Sequence, residues 1–405
     1  MQINNAIGKK RCKILYISIK KCNFVTTMIQ MLLTTAPLMA CLFTTVNLFL
    51  EQKRLNRPNL PMRWLTVWAI AATLLYMGHL IYFHKQIVLI PVSDTIYVAM
   101  NLCVYPLYLI YISELTEEIP YSKRPVILTL LLGPSILGGI ICGTLYYSME
   151  TQENAGFINQ YLYHDEYADL EGTAKSLAII HHVCRMIFCL QVIAVAIIGT
   201  KKIKGYHEVI NQLYADTENK EVRGISTLLY LLVATSLCSI IFSIIGRYYF
   251  INNMWLSIPS ISFTILLFLI GWFGMHQHFT ISDVIMHHPK ETEETANKTY
   301  SHTEKDNLCK QLEQLMQEKK LFLEHDLRLE QVTREMGTNR TYLLQALKDD
   351  KGTTFKEYIN RLRIIYAEKL MQDNPTLTKS DIAMMSGYNT LSSFYRNYNA
   401  YKSTR

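Results

Sequence analysis

The sequence predicts an all-α fold in two parts: a polytopic membrane helix bundle of about seven spans, then a soluble tandem helix-turn-helix domain. Three observations carry this. Half of the 405 residues are apolar and only 18% are charged. Between Val25 and Met275 the apolar residues gather into stretches near or above the ~20 residues a helix needs to cross the hydrocarbon core. Beyond Met275 no such run occurs; apolar residues recur there at helical spacing, twice in a helix–turn–helix order.

The spans are expected at Val25 to Leu50, Trp64 to Phe83, Val92 to Ile112, Val126 to Tyr147, Leu177 to Thr200, Ile225 to Phe250 and Trp255 to Gly274. Pro37, Pro91, Pro106, Pro134 and Pro259 would break soluble helices, but packed spans satisfy the freed carbonyls from neighbours. With the C-terminus inside, the inner loops hold eleven lysines and arginines (Lys53, Arg54, Arg57, Arg63, Lys123, Arg124, Lys201, Lys202, Lys204, Lys220, Arg223) and the outer loops two, Lys85 and Lys175. Cytoplasmic loops are the ones enriched in these residues, so the tail is expected in the cytoplasm. The long outer loop, Ser148 to Ser176, is acidic.

Residues 1 to 27 break the pattern, because Lys9, Lys10, Arg11, Lys13, Lys20 and Lys21 would lie outside. A start at Met28 or Met31 removes all of them, and the segment is read as a gene-model extension. Leu38-Met39-Ala40-Cys41 has the outline of a lipoprotein cleavage site, but the apolar run continues through Leu50, which disfavours a signal peptide. Residues 28 to 275 then form a membrane sensor domain, 276 to 307 a polar linker and 308 to 405 the soluble domain. The nine cysteines have no metal or redox spacing, and most sit in spans as packing residues.

Leu308, Leu312, Leu315 and Met316 mark an amphipathic helix ending near Leu323, whose stripe suits the core of the soluble domain better than the seam of a homodimer because it runs barely two heptads. The first helix-turn-helix has a helix from Leu329 to Met336, a turn at Gly337 and a second helix from Asn339 to Lys348. Glycine supplies the left-handed turn and Asn339 the cap. Leu343 and Leu347 face the core, which leaves Arg340, Thr341, Leu344, Gln345 and Lys348 outward, where a recognition helix meets base edges and phosphates. A connecting helix, Phe355 to about Met371, carries Arg361, Arg363 and Lys369. The second unit repeats the first: Lys379 to Met385, Gly387, and a helix from about Leu391 to Tyr398. Ile382, Ala383, Tyr388, Phe394 and Tyr398 fill its core, with Leu391, Ser392, Tyr395 and Arg396 outward.

Residues 308 to 402 resemble the DNA-binding domain of AraC/XylS-type bacterial transcription regulators. The match rests on Leu327, Leu329, Gly337, Asn339, Tyr342-Leu343, Gly352, Phe355, Tyr358-Ile359, Leu362-Arg363, Ala367 and Leu370, then Ile382-Ala383, Gly387-Tyr388, Ser392, Phe394, Arg396 and Tyr398. The resemblance implies two recognition helices on one face of double-stranded DNA, in successive major grooves, spaced by the connecting helix. Two departures stand out. Thr333 occupies a packing position usually held by alanine, and the chain stops at Arg405 where the family pattern runs on through a glycine, a proline and a tyrosine-arginine pair, so the closing helix is expected to be absent or shortened. The DNA-binding set expected is Asn339, Arg340, Thr341, Leu344, Gln345, Lys348, Arg361, Arg363, Leu391, Ser392, Tyr395 and Arg396.

From Asn339 on, eleven lysines and arginines face six aspartates and glutamates, a surplus of five, which suits phosphate contact only if the cations gather on one face. In the spans, Asp94, His181, His182, Arg185 and Arg247 fall at a similar outer depth; they would either line a pocket for an anionic or polar signal ligand, or pair with one another and snorkel to the interface. His276, His278, His287 and His288 lack metal-site spacing, and no HExxH, GxSxG or phosphate-binding glycine loop occurs, so neither a metal, a cofactor nor an enzyme is expected. The expectation is a lipid-embedded, sequence-specific transcription regulator; the alternative is a receptor or transporter whose tail docks a cytoplasmic protein.

Overall fold

The computed structural model of the protein describes residues 28–29, 31–54, 59–217, 223–245, 257–277 and 302–403. The N-terminal segment 1–27, most of the linker and Arg247 lie outside these. The described residues are helical, with no strand among them, and divide into two compact units.

The first unit draws on residues 28–114, 119–201, 223–245 and 257–277. Its helices are α1 (Met31–Arg54), α2 (Leu60–Phe83), α3 (Ile90–Thr116), α4 (Pro125–Ser148), α5 (Thr151–Phe157), α6 (Gly172–Leu213), α7 (Arg223–Ile245) and α8 (Ser257–His276). Six of them, all but α5 and α7, are long and apolar enough to cross a membrane. The position expected for the sixth span holds α7, in which Gly224–Ala234 is a shorter apolar stretch. Starts follow local chemistry: Asn59 caps α2 by accepting from Met62 N at 3.0 Å, and Pro125 opens α4 at a position whose N–H has no helical partner anyway. α3 and α4 run unbroken through Pro106 and Pro134. They approach closely because α4 presents small residues, as membrane helices do where backbones meet: a Cβ on Gly139 would lie 3.0 Å from Ala99 Cβ.

The acidic segment after α4 is more structured than its composition suggests. After α5, Ile158–Tyr163 forms a π-helix, and Phe157, Ile158, Tyr161 and Leu162 are buried in a cluster with Val98, Leu102, Tyr146 and Leu177. Tyr82 Oη donates to Leu162 O at 2.6 Å, and Asn154 Nδ2 donates to the carbonyls of Tyr146, in the last turn of α4, and of Met149, just after it, both at 3.3 Å. Glu153 accepts from Ala174 N in the first turn of α6 at 3.1 Å, a carboxylate at the positive end of a helix.

The second unit draws on residues 115–118, 202–217 and 302–403. Its C-terminal helices are α9 (His302–Lys319), α10 (Leu329–Met336), α11 (Arg340–Lys351), α12 (Phe355–Asp373), α13 (Lys379–Met385) and α14 (Leu391–Ser403). α9 starts six residues before the expected domain boundary at Leu308 and packs along α11, with Cys309, Leu312 and Met316 buried, so its stripe belongs to the core. Burial pushes the Cys309 thiol up to about 11, aided by Asp350, so it is held as an unreactive packing residue. Leu329, Val332, Leu343, Ala346, Leu347, Phe355 and Ile359 complete the first core; Ile364, Ala367, Ile382, Ala383, Tyr388 and Phe394 form the second. α12 is anchored by a capping box, Glu357 N on Thr354 Oγ1 at 3.3 Å and Thr354 N on Glu357 Oε2 at 2.9 Å. Thr333 is buried, yet its hydroxyl donates to Glu330 O at 3.1 Å, so the departure from alanine leaves no orphaned polar group. α14 itself runs on to Ser403, beyond the expected end at Tyr398, and Tyr398 and Tyr401 close the edge of the second core.

Candidate nucleic-acid interface and membrane-unit cavity

Each helix-turn-helix is set by its glycine. Gly337 ends α10 at φ 63°, and Gly387 turns between α13 and α14 at φ 85°. Gly387 also has no room for a side chain: a Cβ there would lie 2.9 Å from both Phe322 O and Leu323 O. With the turns fixed, Thr341, Gln345 and Lys348 are exposed on α11 and Leu391, Ser392, Tyr395 and Arg396 on α14; Arg340 and Leu344 are half-buried and Arg361 on α12 is exposed. Asn339 is half-buried, and its side chain accepts from Tyr342 N at 2.9 Å, so it spends its carbonyl on the cap.

Arg363 departs from expectation. It is 0% exposed, its Nε donates to Phe322 O and its Nη2 to Glu324 O, both at 2.6 Å, and its guanidinium stands 5.4 Å from the Tyr388 ring centroid. It is therefore a structural strut rather than a phosphate contact. The reason is register: Ile359, Arg363, Ala367 and Leu370 lie on one stripe of α12, and that stripe is the buried one. Burial lowers the guanidinium pKa, opposed by the nearby Tyr388, Asp216 and Asp326.

α6 is 42 residues long; from Lys202 its residues belong to the second unit, and the chain after it docks on the DNA-binding helices. Ala215 N donates to Leu327 O at 3.1 Å, and Tyr214 and Arg328 form a bridge. Asn360 Nδ2 reaches Ala215 O at 3.2 Å, while Lys356 Nζ reaches Asn211 Oδ1 at 3.0 Å and Thr217 Oγ1 at 2.7 Å. Asn389, two residues before α14, donates to Asp216 Oδ2 at 2.7 Å. Ile210, Tyr214, Ala215 and Thr217 are buried.

In the membrane unit, Asp94, His181 and Arg185 line one cavity of about 330 Å³. Tyr146 Oη donates to Asp94 Oδ2 at 2.8 Å, and His181 Nε2 lies 2.9 Å from the same oxygen but without hydrogen-bond alignment. His182, ~100° further round the helix, is exposed and its Nδ1 lies 2.9 Å from Tyr161 Oη, so the expected pocket loses it. Asn47 donates to Phe43 O of its own helix at 2.7 Å, and His79 stacks on Tyr76 beside the cavity. No group of His, Cys, Asp or Glu among the described residues could hold a metal ion.

Two short helices meeting at a left-handed glycine, repeated across a rigid connecting helix with polar side chains on each second helix, define a tandem helix-turn-helix DNA-binding domain. Residues 332–404 match the family model described as "Helix-turn-helix domain", of the AraC type, so this part of the chain is an AraC-type helix-turn-helix domain. Neither the curated proteins nor the solved structures give a match to the chain.

Proposed function

We propose that the protein is a membrane-tethered, sequence-specific transcription regulator: the helix bundle senses a signal at the bacterial cytoplasmic membrane, and the C-terminal domain, on the cytoplasmic side, reads duplex DNA. The observation that carries the reading is the tandem helix-turn-helix domain at residues 332–404 in a chain whose described residues include six membrane-competent helices. Arg340, Thr341, Leu344, Gln345 and Lys348 on α11, and Leu391, Ser392, Tyr395 and Arg396 on α14, are the base- and phosphate-contacting set, with Asn339 fixing the start of α11 and Arg361 adding a phosphate contact.

Coupling runs through α6. Its early turns carry His181 and Arg185 at the cavity, and the chain after its last turn is bonded to Lys356, Asn360 and Asn389. A signal that shifts α6 changes the hold on α12 and on the approach to α14, and with it DNA affinity. The test is duplex binding by the full chain in nanodiscs, on fragments flanking its own gene, over a salt series, beside a variant carrying Arg340→Ala, Gln345→Ala and Arg396→Ala. Sequence-selective, salt-sensitive binding that the variant loses is expected. A folded chain that ignores duplex at low salt sinks the reading and favours a protein-docking tail.

A further inference from the structure

Resting on the reading of the bundle as a sensor, we infer that the cavity binds a small single-chain amphiphile with an anionic head, a free carboxylate or sulfonate, its charge held by Arg185. The cavity, about 330 Å³, sits at the low end of small-molecule sites (~300–1,000 Å³), too small for a whole two-chain lipid. Its wall is mainly apolar and includes the aromatic rings of Trp68, Tyr76, Tyr97, Phe188 and Phe263, which suits an apolar body.

The charges decide the head. Asp94 already holds Tyr146 and faces His181. Arg185 lies one turn beyond His181 on the same face of α6, half-buried, and it takes part in no hydrogen bond or ion pair with the described residues. A cation placed inside a span without a counter-charge is costly, and such residues mark ligand pathways. A second, neutral donor of the lining is unused: Trp68 Nε1 is buried with no hydrogen-bond partner. An anionic head supplies Arg185 with the charge it lacks. A cationic head would be repelled by Arg185 and find Asp94 committed, and a neutral head would leave Arg185 uncompensated. Entry is from one end of the bundle: the lining includes Leu33 and Thr34 near the start of α1, Tyr82 and Phe83 at the end of α2, and Pro259 and Ser260 near the start of α8, the end read as outer.

The experiment titrates the full chain in phosphatidylcholine nanodiscs with decanoate, decanol and decyltrimethylammonium, counting saturable binding above that of empty discs. Decanoate alone is expected to saturate; Arg185→Gln is expected to weaken it on the order of 30-fold or more, while Arg185→Lys keeps most of it. Equal binding of decanol, preference for the cation, or no saturable binding overturns the inference. So does loss of decanoate binding when phosphatidylglycerol is added to the discs, which would assign Arg185 to a lipid headgroup. Duplex binding measured on the same discs separates the two readings: duplex binding without decanoate binding sinks only this inference, whereas absence of duplex binding sinks the regulator.

Discussion

Asn389 Nδ2 and Asp216 Oδ2, 173 residues apart in the chain, meet at 2.7 Å, so the turn leading into the second recognition helix is held by the loop after α6. Asp216 is buried beside Arg363 and Tyr388, and its charge raises the Arg363 pKa against the lowering by burial. One carboxylate thus steadies both the approach to α14 and the strut beneath it.

Asp216→Ala is expected to raise hydrogen exchange in the first turn of α14, lowering its local opening free energy by about 2 kcal/mol, the scale of a hydrogen bond to a charged group. Asn389→Ala should do the same, and the double variant should add little to either. Strictly additive effects would show that the two residues do not act as a pair.

Arg361 and Arg363 are two positions apart, and their substitutions should separate cleanly. Arg363→Met leaves Phe322 O and Glu324 O without their donor and should cost the domain roughly 2–4 kcal/mol, seen as loss of exchange protection in α12 and α13. Arg361→Ala should leave protection unchanged while lowering the slope of log affinity against log salt by about 0.9. A stability loss in the Arg361 variant would contradict its exposed placement.

Gly337 and Gly387 both have positive φ but different neighbours. Gly337→Ala meets open space and should cost only the left-handed backbone, roughly 1–2 kcal/mol. Gly387→Ala drives a methyl against two carbonyl oxygens and should unfold the second unit outright. Near-ultraviolet circular dichroism and exchange protection report the difference; equal effects would mean that the close approach to Phe322 O and Leu323 O is not maintained.

The Glu357 carboxyl is held below its usual pKa of 4.5, chiefly by the Thr354 backbone N–H, against a smaller opposing effect of burial. A carboxyl depressed on folding stabilises fully above its unfolded pKa and loses that contribution as pH falls through the folded value. The start of α12 should therefore be equally protected at pH 7 and pH 6 and fray below about pH 4. Glu357→Gln should flatten this dependence; an unchanged acid profile in that variant would assign the fraying to another group.

Much of this was legible in the chain. Apolar runs locate the six described helices that are long and apolar enough to cross a membrane, because length and apolar composition are properties of the run itself. The helix-turn-helix units declare themselves because Gly337, Gly387 and the Asn339 cap are local devices with local signatures. Arg363 could have been found too: a lone cation on the stripe Ile359, Ala367 and Leu370 is a buried cation. The docking of Ala215 and Asp216 was not legible, since their partners lie 145 and 173 residues away and nothing nearby in sequence marks either as a contact. The π-helix at Ile158–Tyr163 was hidden by the acidic residues around it, although Phe157, Ile158, Tyr161 and Leu162 already recur at helical intervals.

The docked loop also bears on how such a protein can be switched. Residues 202–217 are made before α7 and α8, while Lys356, Asn360 and Asn389 come after them, so the second unit is sewn from two stretches with two helices of the first unit threaded between. A protease that cut between α8 and α9 would therefore not liberate an intact helix-turn-helix unit. It would part Asn360 and Asn389 from Ala215 and Asp216 and release an altered domain.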